Sequence, residues 1–168
     1  MQTIEIPPTT VRLRPAREAD LDAVNRVIEA ALMIWKLPER VKRLSLPSYR
    51  YTALDFAHLA IVVAEDAGKN VVGIAAWEPA DGRDTPAGHT ALLLHGLYVH
   101  PAYHHQGIGR TLFLTAERAV RTHGHHGLLV KAQGDATGFF MALGMRRLPV
   151  EDSARHYANR FWKRIDES

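Results

Sequence analysis

From Leu97 to Leu112 an apolar strand run enters a turn, the turn passes through two glycines one residue apart, Gly107 and Gly109, and an amphipathic helix follows. A loop of this kind leaves backbone N–H groups bare at a helix N-terminus, where the helix dipole also favours negative charge. Phosphate groups bind at such places, and glycine lets the backbone approach a pyrophosphate with no Cβ in the way. The spacing excludes two common phosphate loops. There is no G-x-x-x-x-G-K-[ST], and no G-x-G-x-x-G follows a first strand.

The hydrophobic periodicity places the remaining elements. Val11 to Arg14 alternates as an opening strand that Pro15 stops. Asp20 and Asp22 stand where a helix start favours acid, and Leu21, Val24, Ile28, Ala31 and Trp35 then recur on one helical face. Pro38 fits the first turn of a short second helix carrying Val41 and Leu44. Strands are expected over Ala60–Ala64 and Val71–Trp77, joined by a hairpin turn at Asp66–Asn70. A loop from Glu78 to His89 leads into a strand from Thr90 to Val99. The helix after Gly107 turns Ile108, Leu112, Ala116, Ala119 and Val120 inward and Arg110, Glu117 and Arg121 outward. A strand at Leu128–Lys131, a short helix ending at Gly144, and strands at Met145–Leu148 and Tyr157–Arg164 complete the order β-α-α-β-β-β-α-β-α-β-β.

Composition narrows the class. A chain of 168 residues, 46% hydrophobic and 23% charged, suits one domain with a full core, residues 1–9 being a flexible start. The absence of cysteine removes disulfides, thiol nucleophiles and an acyl-cysteine route. The first residues lack the basic and apolar blocks of a signal peptide, and no apolar run approaches a membrane span, so a soluble cytoplasmic protein with no membrane partner is expected. A net charge of +3 without a basic, aromatic-interleaved block gives no reason to expect nucleic acid.

The string of strand, Val99-x-Pro101 and then His104-His105-Gln106-Gly107-Ile108-Gly109 resembles the coenzyme A signature of the GNAT superfamily of N-acetyltransferases, with His104 at the position of the leading Gln or Arg. A second segment, Gln133 to Met145, is similar to the family's N-x-x-A-x-x-F-Y-x-x-x-G-F. Ala136, Phe139 and Gly144 match, while Gln133 replaces Asn, Phe140 replaces Tyr and Met145 replaces the final Phe. The resemblance covers nearly the whole chain. It implies an α/β (α+β) fold with a mixed central sheet of about seven strands flanked by about four helices. It implies acetyl-CoA as co-substrate, no metal, and transfer of the acetyl group to a primary amine of a small molecule or peptide. Dimers are common in the family, which leaves a homodimer open.

Carried over residue by residue, the resemblance puts the thioester carbonyl on backbone N–H groups at Leu97, Tyr98 and Val99. It puts the pyrophosphate on those of Gln106 to Thr111 within the His104–Thr111 loop, with Gln133, Phe139 and Phe140 beside the cofactor. Arg110 either adds charge to that site or is a solvated arginine on the outer face. Amine acetylation also needs a route for the amine's proton. His95, two residues before Leu97 and so on its strand face, is the candidate base, since Leu93 and Leu94 stand where many relatives carry Glu. The alternatives are a structural histidine and a water chain. Phe140 removes the tyrosine that often protonates the thiolate, which leaves Tyr98, Tyr103 and Tyr157, with Tyr157 preferred because it opens the strand bordering the acceptor cleft. Trp35, Tyr49 and Tyr51 either shape an apolar acceptor pocket or pack the core.

Two rival readings remain. An acyl-CoA-binding sensor of the same fold would keep the loop and lack the chemistry, as the missing tyrosine and strand carboxylate suggest. A metal protein would use His104-His105 and His125-His126, but neither pair has the i, i+4 spacing of a helical zinc site.

Overall fold

The structure is a computed structural model that describes residues 10–132, 136–151 and 159–165. Its strands are β1 (Arg12–Pro15), β2 (Ala60–Glu65), β3 (Val71–Pro79), β4 (Ala91–Val99), β5 (Gly127–Lys131), β6 (Arg146–Arg147) and β7 (Arg160–Arg164). They form one sheet in the order β1-β2-β3-β4-β5-β7-β6. The β4–β5 pair is parallel and the other described pairs are antiparallel. A parallel pair needs a crossover, and α4 (Ile108–Thr122) supplies it.

One face of the sheet carries α1 (Leu21–Met33), whose Val24, Ile28 and Leu32 pack with Tyr51, Ile61, Val63, Ile74 and Ala76. The other carries α4 and α5 (Thr137–Ala142), where Leu112, Phe113, Ala116 and Phe140 pack with Val72, Ala75, Leu92 and Leu94. Both groups draw on the same strands at alternating positions, as a pleated strand requires.

The helices depart from expectation in three ways. Among the described residues there are five where about four were expected, because α3 (Ala53–His58) starts just past Tyr51 and Thr52. Its signal is a capping box: the Thr52 hydroxyl accepts the Asp55 N–H at 3.4 Å, and the Asp55 carboxylate accepts the Thr52 N–H at 2.7 Å. The second helix, α2 (Glu39–Tyr49), is longer than a short turn and turns Val41 and Leu44 outward. Its buried residue is Lys42, whose ammonium donates to the Met33 carbonyl at 2.7 Å just where α1 ends, satisfying a carbonyl the helix leaves open. Third, Glu117 on α4 is buried rather than outward. Phe113 is fully buried beside Leu112 and widens the apolar stripe, so the residue one turn on falls inside it. Smaller differences concern ends: α1 stops before Trp35, Pro15 is the last residue of β1, Glu78 and Pro79 still belong to β3, and β6 is two residues long.

The feature that positions the site lies in β4. Its register against β3 runs Ala76↔Gly96 and then Trp77↔Leu94, so His95 is an extra, bulged residue. Its pairing with β5 ends at Leu94↔Val130. Beyond the bulge the strand continues to Val99 with no described strand on that side. The bulge also changes the phase of the strand. Leu92 and Leu94 face the α4 side before it, and Leu97 and Val99 face that side after it. His95 therefore does not share their face, as its spacing had suggested. It turns to the opposite face and meets the Tyr51 hydroxyl. Gly96 beside it must lack a side chain, because a Cβ there would fall on that hydroxyl and 2.8 Å from Cε2 of Tyr98.

Candidate functional site

The free edge of β4 turns the backbone groups of Leu97 and Val99 to the gap, and of these the Val99 carbonyl is already engaged by His104. The His100 N–H donates to the Val72 carbonyl at 2.8 Å, and Tyr98 pairs with Ile74. Backbone groups alternate sides along an antiparallel ladder, so those of Tyr98 are turned to β3 and those of Leu97 and Val99 face the gap. The Tyr98 N–H is thus not a donor into the opening, contrary to its place in the sequence expectation. The Val99 carbonyl confirms the direction, since it meets Nε2 of His104 at 3.0 Å. His104, the departure from the Gln/Arg pattern, ties the loop back to the strand.

The loop itself is built by local bonds. Nδ1 of His100 accepts the Ala102 N–H at 3.1 Å and starts a 3-10 turn over Pro101–Tyr103. The Tyr103 hydroxyl donates to the Asp66 carboxylate at 2.8 Å, pinning the loop to the β2–β3 hairpin. Backbone bonding from Asn70, reinforced by that hydroxyl, holds the Asp66 carboxyl below its usual range. His105 (φ 62°) and Gly107 (φ 80°) take left-handed backbone, which reverses the chain into α4. The first helical bond runs from the Thr111 N–H to the Gly107 carbonyl at 3.0 Å, so Thr111 has no backbone donor to spare and falls out of the expected set. The N–H groups of Ile108, Gly109 and Arg110 have no partner within the helix. Oε1 of Gln106 is buried with no hydrogen-bond partner among the described residues.

Two cavities meet at this edge. One, of about 400 Å³, is lined by Leu97, Val99, His104, Gly109, Phe139 and Phe140, with His105, Gly107, Ile108 and Arg110 at its loop end. The other, of about 370 Å³, is walled by Ile34, Trp35, Lys36 and Tyr98, and shares Leu97, Val99, His104 and Ala136 with the first. The first opens on the α4–α5 side and the second on the α1 side. Trp35 lines the second cavity while its ring also meets Tyr49 edge-on at 5.2 Å, so Trp35 serves pocket and packing together, whereas Tyr49 and Tyr51 pack with the α1-side core.

Residues 28–145, well over half of the chain, match the Acetyltransferase (GNAT) family. The chain belongs to that family. Among solved structures this GNAT chain is similar to the PaiA N-acetyltransferase of Thermoplasma acidophilum in complex with coenzyme A, at 16% identity and TM-score 0.71 over 92% of this chain and 99% of that one. It is similar to a GCN5-related N-acetyltransferase of Rhodopseudomonas palustris at 22% identity and TM-score 0.68, over 95% and 99%. It is also similar to a GNAT family acetyltransferase of Brucella melitensis in complex with acetyl-CoA, at 18% identity and TM-score 0.59, over 93% and 88%. At these identities the likeness is one of fold, and the seven-stranded mixed sheet is that of the family. No curated protein matches the chain.

Against the GNAT pattern, Phe140 forms a wall of the first cavity. It is 6% exposed and sits in an aromatic group with Phe113, Phe139 and Phe161. Of the remaining tyrosines, Tyr98 is held above its ordinary pKa by burial, and Tyr103 is held up by its bond to Asp66. Tyr157 and Gln133 lie outside the described residues. The histidine pairs are separately engaged: Nδ1 of His126 accepts the Thr90 N–H at 2.8 Å, and His104 is on Val99. Among the described residues no group of three or more His, Asp or Glu is placed to hold a metal ion, and no helix is long and apolar enough to cross a membrane. The link the sequence did not disclose is Tyr51 to His95, between residues 44 positions apart.

Proposed function

We propose that the chain transfers the acetyl group of acetyl-CoA to a primary amine. The observation that carries this is the open edge of β4 from Leu97 to Val99, reached by a cavity from each face of the sheet. Two substrates that react across one carbonyl need such an arrangement, because the nucleophile must approach a thioester already held and oriented.

In this reading acetyl-CoA occupies the α4-side cavity. Its pyrophosphate lies on the N–H groups of Ile108, Gly109 and Arg110, with the Arg110 guanidinium adding charge. The Gly107 turn and Phe139 border it, and the pantetheine follows the β4 edge. The N–H groups of Leu97 and Val99 face the carbonyl oxygen and stabilise the charge that develops there. The amine enters from the α1 side. Its nitrogen forms the new bond to the acetyl carbon, the C–S bond breaks, the thiolate leaves to become the coenzyme A thiol, and the amine's proton is lost to solvent. A thiol's reference pKa of about 8.5 lets the thiolate leave without a strong acid, which suits a site where Phe140 has no proton to give, with Tyr157 as the acid expected from the sequence.

The test pairs calorimetry of acetyl-CoA binding with release of free thiol against a panel of amines. Binding with amine-dependent release supports the reading. Binding without release for any amine supports the sensor alternative, to which the absence of a tyrosine at Phe140 lends weight.

A further inference from the structure

We infer that Tyr51 fixes His95 as the imidazole tautomer with its proton on Nε2, so that His95 serves as a hydrogen-bond donor to a substrate oxygen rather than as the base that takes the amine's proton. The tautomer stands on the geometry of the free protein. The donor role rests on the acyl transfer proposed above.

Tyr51 is 4% exposed and cannot shift easily. Asn25 on α1 grips its backbone from both sides, donating from Nδ2 to the Tyr51 carbonyl at 2.9 Å and accepting the Tyr51 N–H on Oδ1 at 2.8 Å. The hydroxyl so placed lies 3.2 Å from Nδ1 of His95. The two ring centroids are 5.6 Å apart, tilted by 47°.

The direction of that bond follows from burial. Burial raises the phenol's pKa, and Tyr98, Asp55 and Glu78 around it push the same way, so it keeps its proton. A buried O–H needs an acceptor, and Nδ1 is the acceptor the described residues offer. An Nδ1 that receives a hydrogen bond is bare, and a neutral imidazole then carries its proton on Nε2. With Nδ1 engaged below, Nε2 is the nitrogen left to solvent and substrate on this exposed residue. An Nε2–H cannot accept a proton. Base chemistry at Nε2 would require the reverse bond, with the Tyr51 oxygen accepting and its own proton buried without a partner.

The position suits a donor. His95 is the first residue past the last β4–β5 pair, on the face where the amine would enter. A donor there faces the side from which the acceptor enters, so the oxygen it serves is one of the acceptor. The amine's proton is then left to water.

The decisive measurement is long-range proton–nitrogen NMR on the full chain labelled at histidine, at a pH where imidazoles are neutral, with the His95 signals assigned by their loss in His95→Gln. A bare Nδ1 and a protonated Nε2 are expected, and Tyr51→Phe should move the Nδ1 signal. A protonated Nδ1 in the wild type overturns the inference. Kinetics give a second readout, because a glutamine amide reaches to about the place of Nε2 and donates without titrating. His95→Gln should keep kcat within about tenfold of wild type, with the acidic limb of the pH–rate profile intact, while His95→Leu loses more. A loss of about a hundredfold or more in His95→Gln together with the acidic limb would mark a base and overturn the donor role. If acyl transfer itself fails, the donor role falls with it and the NMR result still decides the tautomer.

Discussion

Glu117 and Lys163 meet at 2.5 Å across the seam between α4 and β7, with the carboxylate side chain 7% exposed and the lysine 30%. The ammonium also lies 5.7 Å from the centroid of the Phe113 ring. The pair lets a charged residue sit within the apolar stripe of α4. Lys163→Met should cost about 2 kcal/mol, less than for a fully buried pair because the lysine is partly solvated. That lowers Tm by roughly 4–8 °C in a chain of this size. Adding Glu117→Gln should restore much of the loss, since no buried charge then lacks a partner. Thermal melts of the two variants check this, and equal losses in both would show that a buried carboxylate without its partner is not the source of the cost.

Acid should loosen the other end of the sheet. Arg14 on β1 donates to both oxygens of Asp20 at 2.8 and 2.9 Å and to Glu65 at 3.1 Å. The hydrogen bonds from Arg14, helped by the Arg17 N–H, hold the Asp20 carboxyl down at about 2 from 3.8. A folded pKa below the unfolded one means that the carboxylate stabilises the fold above the unfolded value. That stability is lost as the pH falls through the folded value, and is worth roughly 2 kcal/mol. Asp20→Asn should therefore unfold at lower denaturant than wild type at pH 5 and converge with it by about pH 2. Parallel curves over that range would show the pair to be thermodynamically idle.

Gly96→Ala tests the bulge. The new methyl meets the Tyr51 hydroxyl and the Tyr98 ring, and overpacking of this kind costs about 1–3 kcal/mol. Combining it with Tyr51→Phe should recover part of the loss, because the nearest atom is then gone. Urea denaturation of the three variants measures the coupling, and strict additivity would mean that the strand relaxes elsewhere.

Gly109→Asp and Gly107→Glu each bring a carboxylate to the N-terminus of α4. Acetyl-CoA binding measured by calorimetry should disappear in both while the far-UV spectrum is unchanged, because negative charge then repels the phosphates. A Cβ at Gly107 meets no atom within 4 Å, although its φ of +80° strains any side chain, whereas one at Gly109 comes within 3.2 Å of Phe139. The Gly107 variant is thus the one in which space is not the issue. Unchanged affinity there would remove the phosphate from this turn.

His104, His105, His123, His125 and His126 should not retain a metal ion. Elemental analysis of protein purified without an affinity tag should find less than stoichiometric zinc and nickel, and a chelator-resistant equivalent of either would reverse this reading.

The strands and the phosphate-type loop were legible because their signals are local: the apolar runs of β2 and β3 joined by the Asp66–Asn70 turn, and the turn through Gly107 and Gly109 into α4. Even the missed helix α3 announces itself in Thr52 and Asp55. What sequence reasoning could not supply joins distant residues. Glu117 looks like an outward charge until Lys163, 46 residues on, is folded against it. His95 looks like a partner of Leu97 and Val99 until the extra residue is seen, although a glycine next to it within a strand pattern was a mark of that irregularity. The Tyr98 and Thr111 N–H groups, assigned to ligand by position, are used up by the register of β3 and by the first turn of α4.

The bulge has a consequence for engineering and for reading related chains. β4 is two half-strands with opposite reading frames, spliced at one histidine. Substitutions chosen by inward and outward alternation will be right on one side of the splice and inverted on the other. Deleting His95 would bring the frames into line. Leu92, Leu94, Leu97 and Val99 would all keep their present side, because the register on β3 already passes from Leu94 to Gly96, and what the strand would lose is the side chain that meets Tyr51. The extra residue thus puts a histidine on the Tyr51 face without turning any of those four side chains away from α4.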